Sequence, residues 1–420
     1  MKLRDDEKRM LDGEEGHTIQ KAMELLVKIG DAHGAEDMLD ISYAHIESGE
    51  LERVLYNLVS DFTKGVRVRV PTGTMPLVPN PYYLEAMKIP AQVVEDIKKP
   101  TARILDLHNQ LGAMCTYSCF PFFVYPLRLG EHMAWTETQV TPFANSWFGA
   151  RTNLQACISA VASAVTGKTP NYGLHLTENR LGTGLIEVDP KLKPENFDYA
   201  DYAALSYWAG VIMVNYEPVI PVYNGLSPKA TTYSKVKGMC APNVWNSGMP
   251  MFHVVGVTPE AYTIEAAFGG RKPSVTVQFG KKEMVSAYEE LSTATDRKVD
   301  VVTIGCPHCS IKELEDIARL LNGRKVHKDT QLWVGTNEAF KSVAERMGII
   351  KAIEEAGGLV ITSGCPCPAP LALLQPRVVA TTSGLASPII RIFTKDKVAV
   401  WFGKLSDCIN AAIKGKWEAS

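Results

Sequence analysis

Val299-Asp-Val-Val-Thr-Ile-Gly-Cys-Pro-His-Cys-Ser310 and Gly358-Leu-Val-Ile-Thr-Ser-Gly-Cys-Pro-Cys-Pro368 share one pattern, and this pattern decides the fold. Each is a short β-branched run that stops at glycine and cysteine, as a buried strand of a parallel sheet is expected to do. Amphipathic helices are predicted between them, over 312–321 and 338–348, with further strands over 331–334 and 377–380. Strands that alternate with helices predict an α/β fold with a doubly wound parallel sheet.

Small polar and thiol residues follow the predicted strands of this sheet. They are Cys306, Asn337, Cys365 and Ser383. Ligands of such sheets bind at the carboxyl ends of the strands, so we expect these side chains to gather at one edge. The sequence therefore predicts a site at this edge in which Cys306 and Cys365 approach each other.

The bulk properties are those of a multi-domain globular protein. The chain has 420 residues, of which 46% are apolar and 21% charged, and two or three domains are expected. We place a boundary near 292–297, which divides the chain into an N-terminal α/β region, 1–295, and a C-terminal α/β region, 296–420. In the first region the patterns predict strands over 38–41, 66–70 and 275–279 and helices over 156–165 and 281–291.

Charge and cysteine content narrow the function classes. A net charge of −2 gives no electrostatic reason to expect binding to nucleic acid or to an anionic membrane. The start of the chain is too charged for a signal peptide, and nine cysteines without such a signal fit a reducing cytoplasm. In that setting clustered cysteines are more often metal-binding or catalytic than disulfide-bonded. Nucleotide binding has no support, because no GxGxxG or P-loop pattern is present.

The Cys306-Pro-His-Cys309 motif has several interpretations when it is taken alone. It fits a thiol–disulfide redox pair at a helix start, half of a zinc site, or ligands of an iron–sulfur cluster. Two buried, inert thiols are also possible. Cys365 favours the cluster, because a redox dithiol needs no third thiol from a second strand. A non-enzymatic scaffold, in which the thiols are dispensable, is the alternative of a different class.

Other side chains suggest acid–base or anion-binding chemistry. Glu131 and Glu137 flank an apolar turn, where carboxylates can transfer protons or hold a substrate hydroxyl. Arg151 beside Thr152 suits the bidentate binding of a carboxylate or phosphate. A solvated loop surface and a structural ion pair are the alternatives for these groups.

Five runs together resemble a known family, the aconitase X large (catalytic) subunit. They are Gly130-Glu-His-Met-Ala-Trp135, Asn145-Ser-Trp-Phe-Gly-Ala-Arg-Thr-Asn153, Pro170-Asn-Tyr-Gly-Leu-His175, His253-Val-Val-Gly-Val-Thr-Pro-Glu260 and Gly305-Cys-Pro-His-Cys309. The likeness extends from about residue 45 to 383 and implies an aconitase-like, multi-domain architecture with parallel sheets flanked by helices. It also implies a hydro-lyase that dehydrates small hydroxy acids with an iron–sulfur cluster, [4Fe-4S] with one open iron. The family's activities are mevalonate 5-phosphate dehydration to anhydromevalonate 5-phosphate, in isoprenoid biosynthesis, and cis-3-hydroxy-L-proline dehydration.

The resemblance also implies roles for individual residues. The cluster thiols fall on Cys119, Cys306 and Cys365. With the polar residues noted above, the candidate catalytic residues are Glu137, Thr138 and Ser383, and the candidate substrate-binding residues are Gly49, Asn80, Pro81, Glu131, Asn145, Ser146, Arg151 and Thr152. The family's two-chain members have a small subunit, which forms a swivelling domain and contains the serine that acts as base. A heterodimer with such a subunit is therefore expected.

Two departures from the family pattern concern the substrate. Leu385 replaces a lysine that the family usually has after Ser-Gly, and Glu50 introduces a negative charge in an early segment. Both changes weaken the binding of an anion by simple Coulomb sign and favour an unphosphorylated acid. The two-chain organisation favours mevalonate 5-phosphate. We expect this substrate in preference to an unphosphorylated acid, because backbone amides and Arg151 remain available to bind phosphate.

Overall fold

The computed structural model describes residues 1–48, 57, 59–216, 220–248 and 250–418. Its described part is a mixed α/β protein with four sheets, three of them wholly parallel. None of the described helices is long and apolar enough to cross a bilayer.

The N-terminal part contains a three-stranded parallel sheet whose central strand ends near the site. Its strands are β2 (Tyr43–Ser48) in the centre, with β3 (Thr72–Pro76) and β4 (Met133–Trp135) on either side; β1 (Met38–Asp40) pairs antiparallel with β5 (Lys168–Pro170). The helices of this part whose bounds lie within the described residues are Asp5–Leu11, His17–Ala32, Pro81–Ala86, Ala91–Leu111, Thr141–Ser146 and Cys157–Thr166.

The middle part is built on a four-stranded parallel sheet. Its strands are β6 (Gly184–Val188), β7 (Pro221–Asn224), β8 (His253–Val254) and β9 (Val275–Phe279), in the order β8-β7-β6-β9. Its helices are Tyr199–Met213, Tyr233–Ser247, Ile264–Phe268 and Lys281–Leu291, and short 3-10 turns cover Gly173–His175, Thr177–Arg180, Pro190–Leu192 and Pro194–Asn196. The predicted strand over 275–279 and helix over 281–291 are confirmed.

The C-terminal part contains the predicted doubly wound parallel sheet. Its strands are β10 (Val301–Ile304), β11 (Gln331–Gly335), β12 (Gly358–Ile361), β13 (Val378–Thr381) and β14 (Ala399–Phe402), in the order β12-β11-β10-β13-β14. Its helices are Ile311–Leu321, Glu338–Arg346, Ile349–Glu355, Pro368–Leu374, Ala386–Thr394 and Leu405–Lys414. All five strands are parallel, so the segments that follow β10, β12 and β13 leave the sheet at the same edge.

Each strand of this sheet sends alternate residues into different cores. Val301 and Trp333 belong to the large core shared with the N-terminal and middle parts, whereas Val302 and Val334 pack among the C-terminal helices. Burial on both faces explains why these strands read as nearly continuous apolar runs. Packing of one sheet face in the shared core also holds the sheet in place against the N-terminal and middle parts.

The predicted strand over 66–70 is wrong. Its alternating valines are partly buried against neighbouring cores, but the segment is irregular and the true strand, β3, begins at Thr72. Its backbone bonds reach other elements, because Val68 N–H donates to Leu111 O at 3.0 Å and Arg69 N–H to Ala164 O at 2.8 Å. Alternation here reflects packing between two helix ends instead of pairing in a sheet.

Two glycines let the cysteine-bearing loops approach their neighbours. Gly305 has φ +102°, and a Cβ there would lie 2.3 Å from the carbonyl oxygen of Gly335. Gly364 has φ +153°, and a Cβ there would lie 2.6 Å from the Cα of Pro79. Only glycine fits such positions, so both turns before a cysteine are fixed by backbone contact.

Candidate active site

Three cysteines from distant parts of the chain meet at the sheet edge. Cys306 follows β10, Cys365 follows β12, and Cys119 lies on an irregular segment of the N-terminal part. All three are buried and line one cavity of about 100 Å³. The other residues of its lining are Glu47, Met75, Leu77, Glu137, Thr138, Gln139, Gly305, His308, Pro368, Ile389 and Phe393.

The thiols interact directly and divide into one acidic thiol and several weakly acidic ones. Hydrogen bonds from Cys365 and Cys367 hold the pKa of Cys306 well below its usual value. The same bond to Cys306, together with burial, raises the pKa of Cys365. Burial raises the pKa of Cys119, whose sulfur accepts a hydrogen bond from His308 N–H at 3.4 Å. Cys306 is therefore the thiol that most readily becomes a thiolate, which is the form that binds a metal.

Two carboxyl groups face the same cavity. Glu137 is buried and its Oε2 accepts no hydrogen bond among the described residues. Burial, the neighbouring Glu47 and Cys306 raise the pKa of Glu137 well above its usual value. Burial also raises the pKa of Glu47, to about 7. Two adjacent buried carboxyls cannot both ionise cheaply, so the pair retains a proton near neutral pH.

Polar groups complete the lining around Cys306. Gln139 Oε1 lies 3.4 Å from the Cys306 sulfur, and Ser383 is also hydrogen-bonded to that sulfur. Thr138 is half-buried and faces the cavity. Of the predicted catalytic residues, Glu137 and Thr138 thus line the cavity, and Ser383 is in contact with a cysteine that does. Their roles in catalysis stay predictions.

The predicted residues Asn145, Ser146 and Thr152 lie outside the cavity lining. Asn145 Nδ2 donates to Thr152 O at 2.9 Å, and its Oδ1 accepts from Thr152 N–H at 3.0 Å. Ser146 Oγ accepts from Phe252 N–H at 2.9 Å. These bonds join the short helix Thr141–Ser146 to neighbouring segments, and substrate contacts by these three residues stay predictions.

Arg151 and Glu131 are likewise occupied elsewhere. The Arg151 guanidinium donates to His175 O at 2.7 Å. The Glu131 carboxylate accepts from Ser42 Oγ at 2.5 Å and from Tyr125 OH at 2.8 Å. Neither side chain reaches the cavity lining in the described structure. A part for either residue in substrate binding stays a prediction without structural support.

Asn80 and Pro81 lie at the start of a helix close to the Cys365 loop. Asn80 is exposed and caps this helix, since its Oδ1 accepts a hydrogen bond from Tyr82 N–H at 3.0 Å. The preceding residue, Pro79, packs against Gly364. Gly49 lies outside the described residues. Substrate contacts by these three residues stay predictions.

Four residues of the site were not identified as functional from the sequence: Glu47, Gln139, His308 and Cys367. Glu47 lies within β2, and polar residues of that strand such as the buried His45 obscure the alternation of apolar and polar residues by which a strand is recognised. Cys367 was visible as the second thiol of Cys365-Pro-Cys367, and this spacing was the available signal.

The raised pKa of Glu47 predicts a pH-dependent loss of stability. The folded chain keeps this proton up to about pH 7, whereas the unfolded chain releases it near 4.5. Between these values a rising pH therefore favours the unfolded state. We expect the metal-free Glu47→Gln variant to exceed the parent chain in free energy of unfolding by about 1–3 kcal/mol at pH 8 and to match it at pH 4.

Chemical denaturation at the two pH values measures this difference. The exposed Glu14 provides a control, because Glu14→Gln is expected to change neither value. A Glu47→Gln variant that is less stable than the parent at pH 8 would contradict a protonated, desolvated carboxyl at this position.

Comparison with known families covers nearly the whole chain. Residues 1–178 match the first domain of aconitase X, 182–289 the second and 299–414 the third. The chain belongs to the aconitase X family. In this chain, the segment that matches the third domain contains the five-stranded sheet with Cys306 and Cys365, whereas the segment that matches the first contains Cys119 and both carboxyls.

Relatives of this aconitase X chain include two kinds of dehydratase that match nearly all of it. It is 34% identical to the phosphomevalonate dehydratase large subunit of Methanocaldococcus jannaschii, over 97% of this chain and 99% of the relative. It is 31% identical to the cis-3-hydroxy-L-proline dehydratase of Pseudomonas aeruginosa, over 97% of this chain and 69% of the relative. The crystal structure of holo-form aconitase X from Thermococcus kodakarensis matches with a TM-score of 0.83 and 29% identity, over 98% of this chain and all of that one.

These relationships make the chain a hydro-lyase that dehydrates a hydroxy acid. They give no support to a thiol–disulfide oxidoreductase. The structure agrees, because Cys309 packs in the C-terminal core and does not line the cavity.

The residues of this aconitase X site fit an iron–sulfur cluster. Three buried cysteines converge from three segments, and thiolates are the ligands that such clusters use. The described residues contain no group of three His, Cys, Asp or Glu spaced for a single metal ion. The absence of such a group among the described residues does not exclude a cluster, because the thiolates that hold a cluster bind different iron atoms and are spaced more widely than the ligands of one ion.

Proposed function

We propose that the chain is the large subunit of an iron–sulfur dehydratase and that Cys119, Cys306 and Cys365 hold the cluster. The observation that carries this proposal is the convergence of three thiols and two carboxyls on one cavity. An iron with an open position, when bound there, supplies a Lewis acid for the departing hydroxyl group.

The chain's own groups supply proton transfer and orientation. Glu137 keeps its proton near neutral pH and faces the cavity, so it can donate that proton to the hydroxyl oxygen as the C–O bond breaks. The neighbouring Glu47, whose pKa burial raises to about 7, is partly protonated at the same pH. Thr138 and Gln139 orient the substrate through hydrogen bonds. We assign the base that removes the proton beside the carboxylate to a small subunit, because the ionisable groups of the described lining are the cluster thiols, this carboxyl pair and His308, whose ring nitrogens are both hydrogen-bonded.

For the substrate we propose mevalonate 5-phosphate, dehydrated to an anhydromevalonate 5-phosphate. Support comes from the phosphomevalonate dehydratase large subunits of M. jannaschii and of Methanothermobacter thermautotrophicus, which are 34% and 36% identical to this chain over at least 91% of it. Their designation as large subunits supports a small-subunit partner.

One observation favours a second candidate, cis-3-hydroxy-L-proline. No lysine or arginine is present among the described residues of the cavity lining, whereas two carboxyls are. A phosphate group prefers cations, and a secondary ammonium group prefers carboxylates. The replacement of the family lysine by Leu385 acts in the same direction.

A substrate panel with the reconstituted complex separates the two candidates. We expect mevalonate 5-phosphate to lose water in the presence of the small subunit and to stay intact without it. Mass spectrometry measures this loss of water. Turnover of hydroxyproline alone would reverse the substrate assignment. Full turnover by this chain without a second subunit would refute the two-chain proposal.

A further inference from the structure

His308 contacts all three segments that contain the site's cysteines. It lies two residues after Cys306, and its backbone N–H donates to the Cys119 sulfur at 3.4 Å. Its ring Nδ1 lies 3.2 Å from Ser118 Oγ, beside Cys119. Its Nε2 lies 3.1 Å from the carbonyl oxygen of Gly364, beside Cys365.

The partners fix the state of the imidazole ring. A carbonyl oxygen only accepts, so Nε2 carries the hydrogen and donates to Gly364. Nδ1 then accepts from the Ser118 hydroxyl, whose oxygen in turn accepts from Phe120 N–H at 3.0 Å. Both ring nitrogens are therefore used by the protein, and neither is free to bind a substrate.

A buried ion pair fixes the backbone of the same residue. Lys237 is only 1% exposed, and its Nζ donates to His308 O at 2.9 Å and to Glu313 at 2.6 Å. The Glu313 carboxylate also accepts from Ser310 N–H at 2.9 Å, at the start of the next helix. His308 is thus held through its amide, its carbonyl and both ring nitrogens.

We propose that His308 is a positioning residue that sets the spacing of Cys119, Cys306 and Cys365. This inference rests on the proposed function in so far as the three thiols hold an iron–sulfur cluster. The cysteines come from segments far apart in the sequence, and His308 is a partner that all three segments share. Removal of a residue that orients a metal ligand without binding the metal itself typically lowers metal affinity by about 10–100-fold.

The test compares three replacements of the ring. His308→Leu removes both side-chain bonds, His308→Asn retains a group near Nδ1 and His308→Gln retains one near Nε2. We expect His308→Leu to lose iron to a chelator about 10–100-fold faster than the parent chain, with the two amide variants between them. The loss is monitored in the complex with its small subunit, by the iron and sulfide content per chain and by the visible spectrum.

Cadmium binding by the metal-free chain provides a readout that does not depend on a cluster. Cd²⁺ binds thiolates and gives an ultraviolet charge-transfer band, so its affinity reports the spacing of the thiols. His308→Leu is expected to weaken Cd²⁺ binding about 10–100-fold. Equal Cd²⁺ affinity in all variants would overturn the inference. A parent chain that takes up no iron, but whose Cd²⁺ affinity falls in His308→Leu, would refute the cluster and leave the role of His308 supported.

A matched control shows that the effect is not that of any buried histidine. His253 is buried, its Nε2 bonds to a backbone carbonyl, that of Arg180, at 2.8 Å, and it does not line the cavity. His253→Leu is expected to lower the midpoint of thermal unfolding without changing Cd²⁺ affinity. Equal losses of Cd²⁺ affinity in His253→Leu and His308→Leu would overturn the positioning role.

Discussion

Replacement of Cys306 by alanine is expected to abolish both cluster binding and dehydration, with activity falling below detection. Hydrogen bonds from Cys365 and Cys367 lower the pKa of Cys306, so this residue is the preferred thiolate of the site. Its removal leaves the cavity with only two of the three proposed cluster ligands, Cys119 and Cys365. Iron and sulfide analysis after anaerobic reconstitution, together with a dehydration assay, measures both losses.

The neighbouring Cys309 provides a matched control three residues away. It is fully buried in the C-terminal core, where burial raises the pKa of its thiol, and it does not line the cavity. Cys309→Ala is therefore expected to cost about 1 kcal/mol of stability and to leave iron content and activity intact.

The pair of variants separates the classes of function. A thiol–disulfide redox protein needs both thiols of the CxxC motif, so equal loss of function in the two variants would favour that chemistry. Retention of function in both variants would favour a scaffold. Only a loss confined to Cys306→Ala agrees with a cluster ligand.

The C-terminal sheet was predictable because its strands are buried on both faces. Val301 and Val302 enter different cores, so the strand is a nearly continuous apolar run without polar residues at alternate positions. Glycines such as Gly305 mark where the strand ends. The N-terminal part was harder to predict. The buried His45 lies within β2, stacked on Trp135 at 4.7 Å and bonded to Ser118 O at 3.0 Å, and such tertiary partners are not visible in a local pattern.

The site was predictable to the extent that it follows from the sheet. Cys306 and Cys365 were brought together by the rule that parallel strands end at one edge. Cys119 lies on an irregular segment, so only the family resemblance indicated it. The role predicted for Arg151 stays untested, but its guanidinium donates to the carbonyl oxygen of His175 and does not line the cavity. Residue type alone does not distinguish a binding side chain from one that closes a local network.

In the proposed mechanism, Glu137 is the residue on which proton transfer by this chain depends. It follows β4, and the N–H groups of Gln139 and Val140 point at its carboxylate. Those two bonds lower its pKa, but burial and the nearby Glu47 outweigh them and raise it. A carboxyl group that stays protonated at neutral pH is suited to general acid catalysis, whereas an ordinary glutamate is ionised there.

Glu137→Gln is therefore expected to lower kcat by about 10²–10⁴-fold while iron and sulfide content stay at the parent level. An acid must be protonated to act, so the kcat of the parent enzyme should fall as the pH rises through the raised pKa of Glu137. This alkaline decline should disappear in Glu137→Gln, since its amide does not titrate. Glu7→Gln is the matched control, because Glu7 is also a buried carboxylate but pairs with Arg4 outside the cavity, and kcat per bound iron should be unchanged. A Glu137→Gln enzyme with parental kcat and an unaltered pH profile would assign the acid to another group of the cavity, with Glu47 the first to be replaced next.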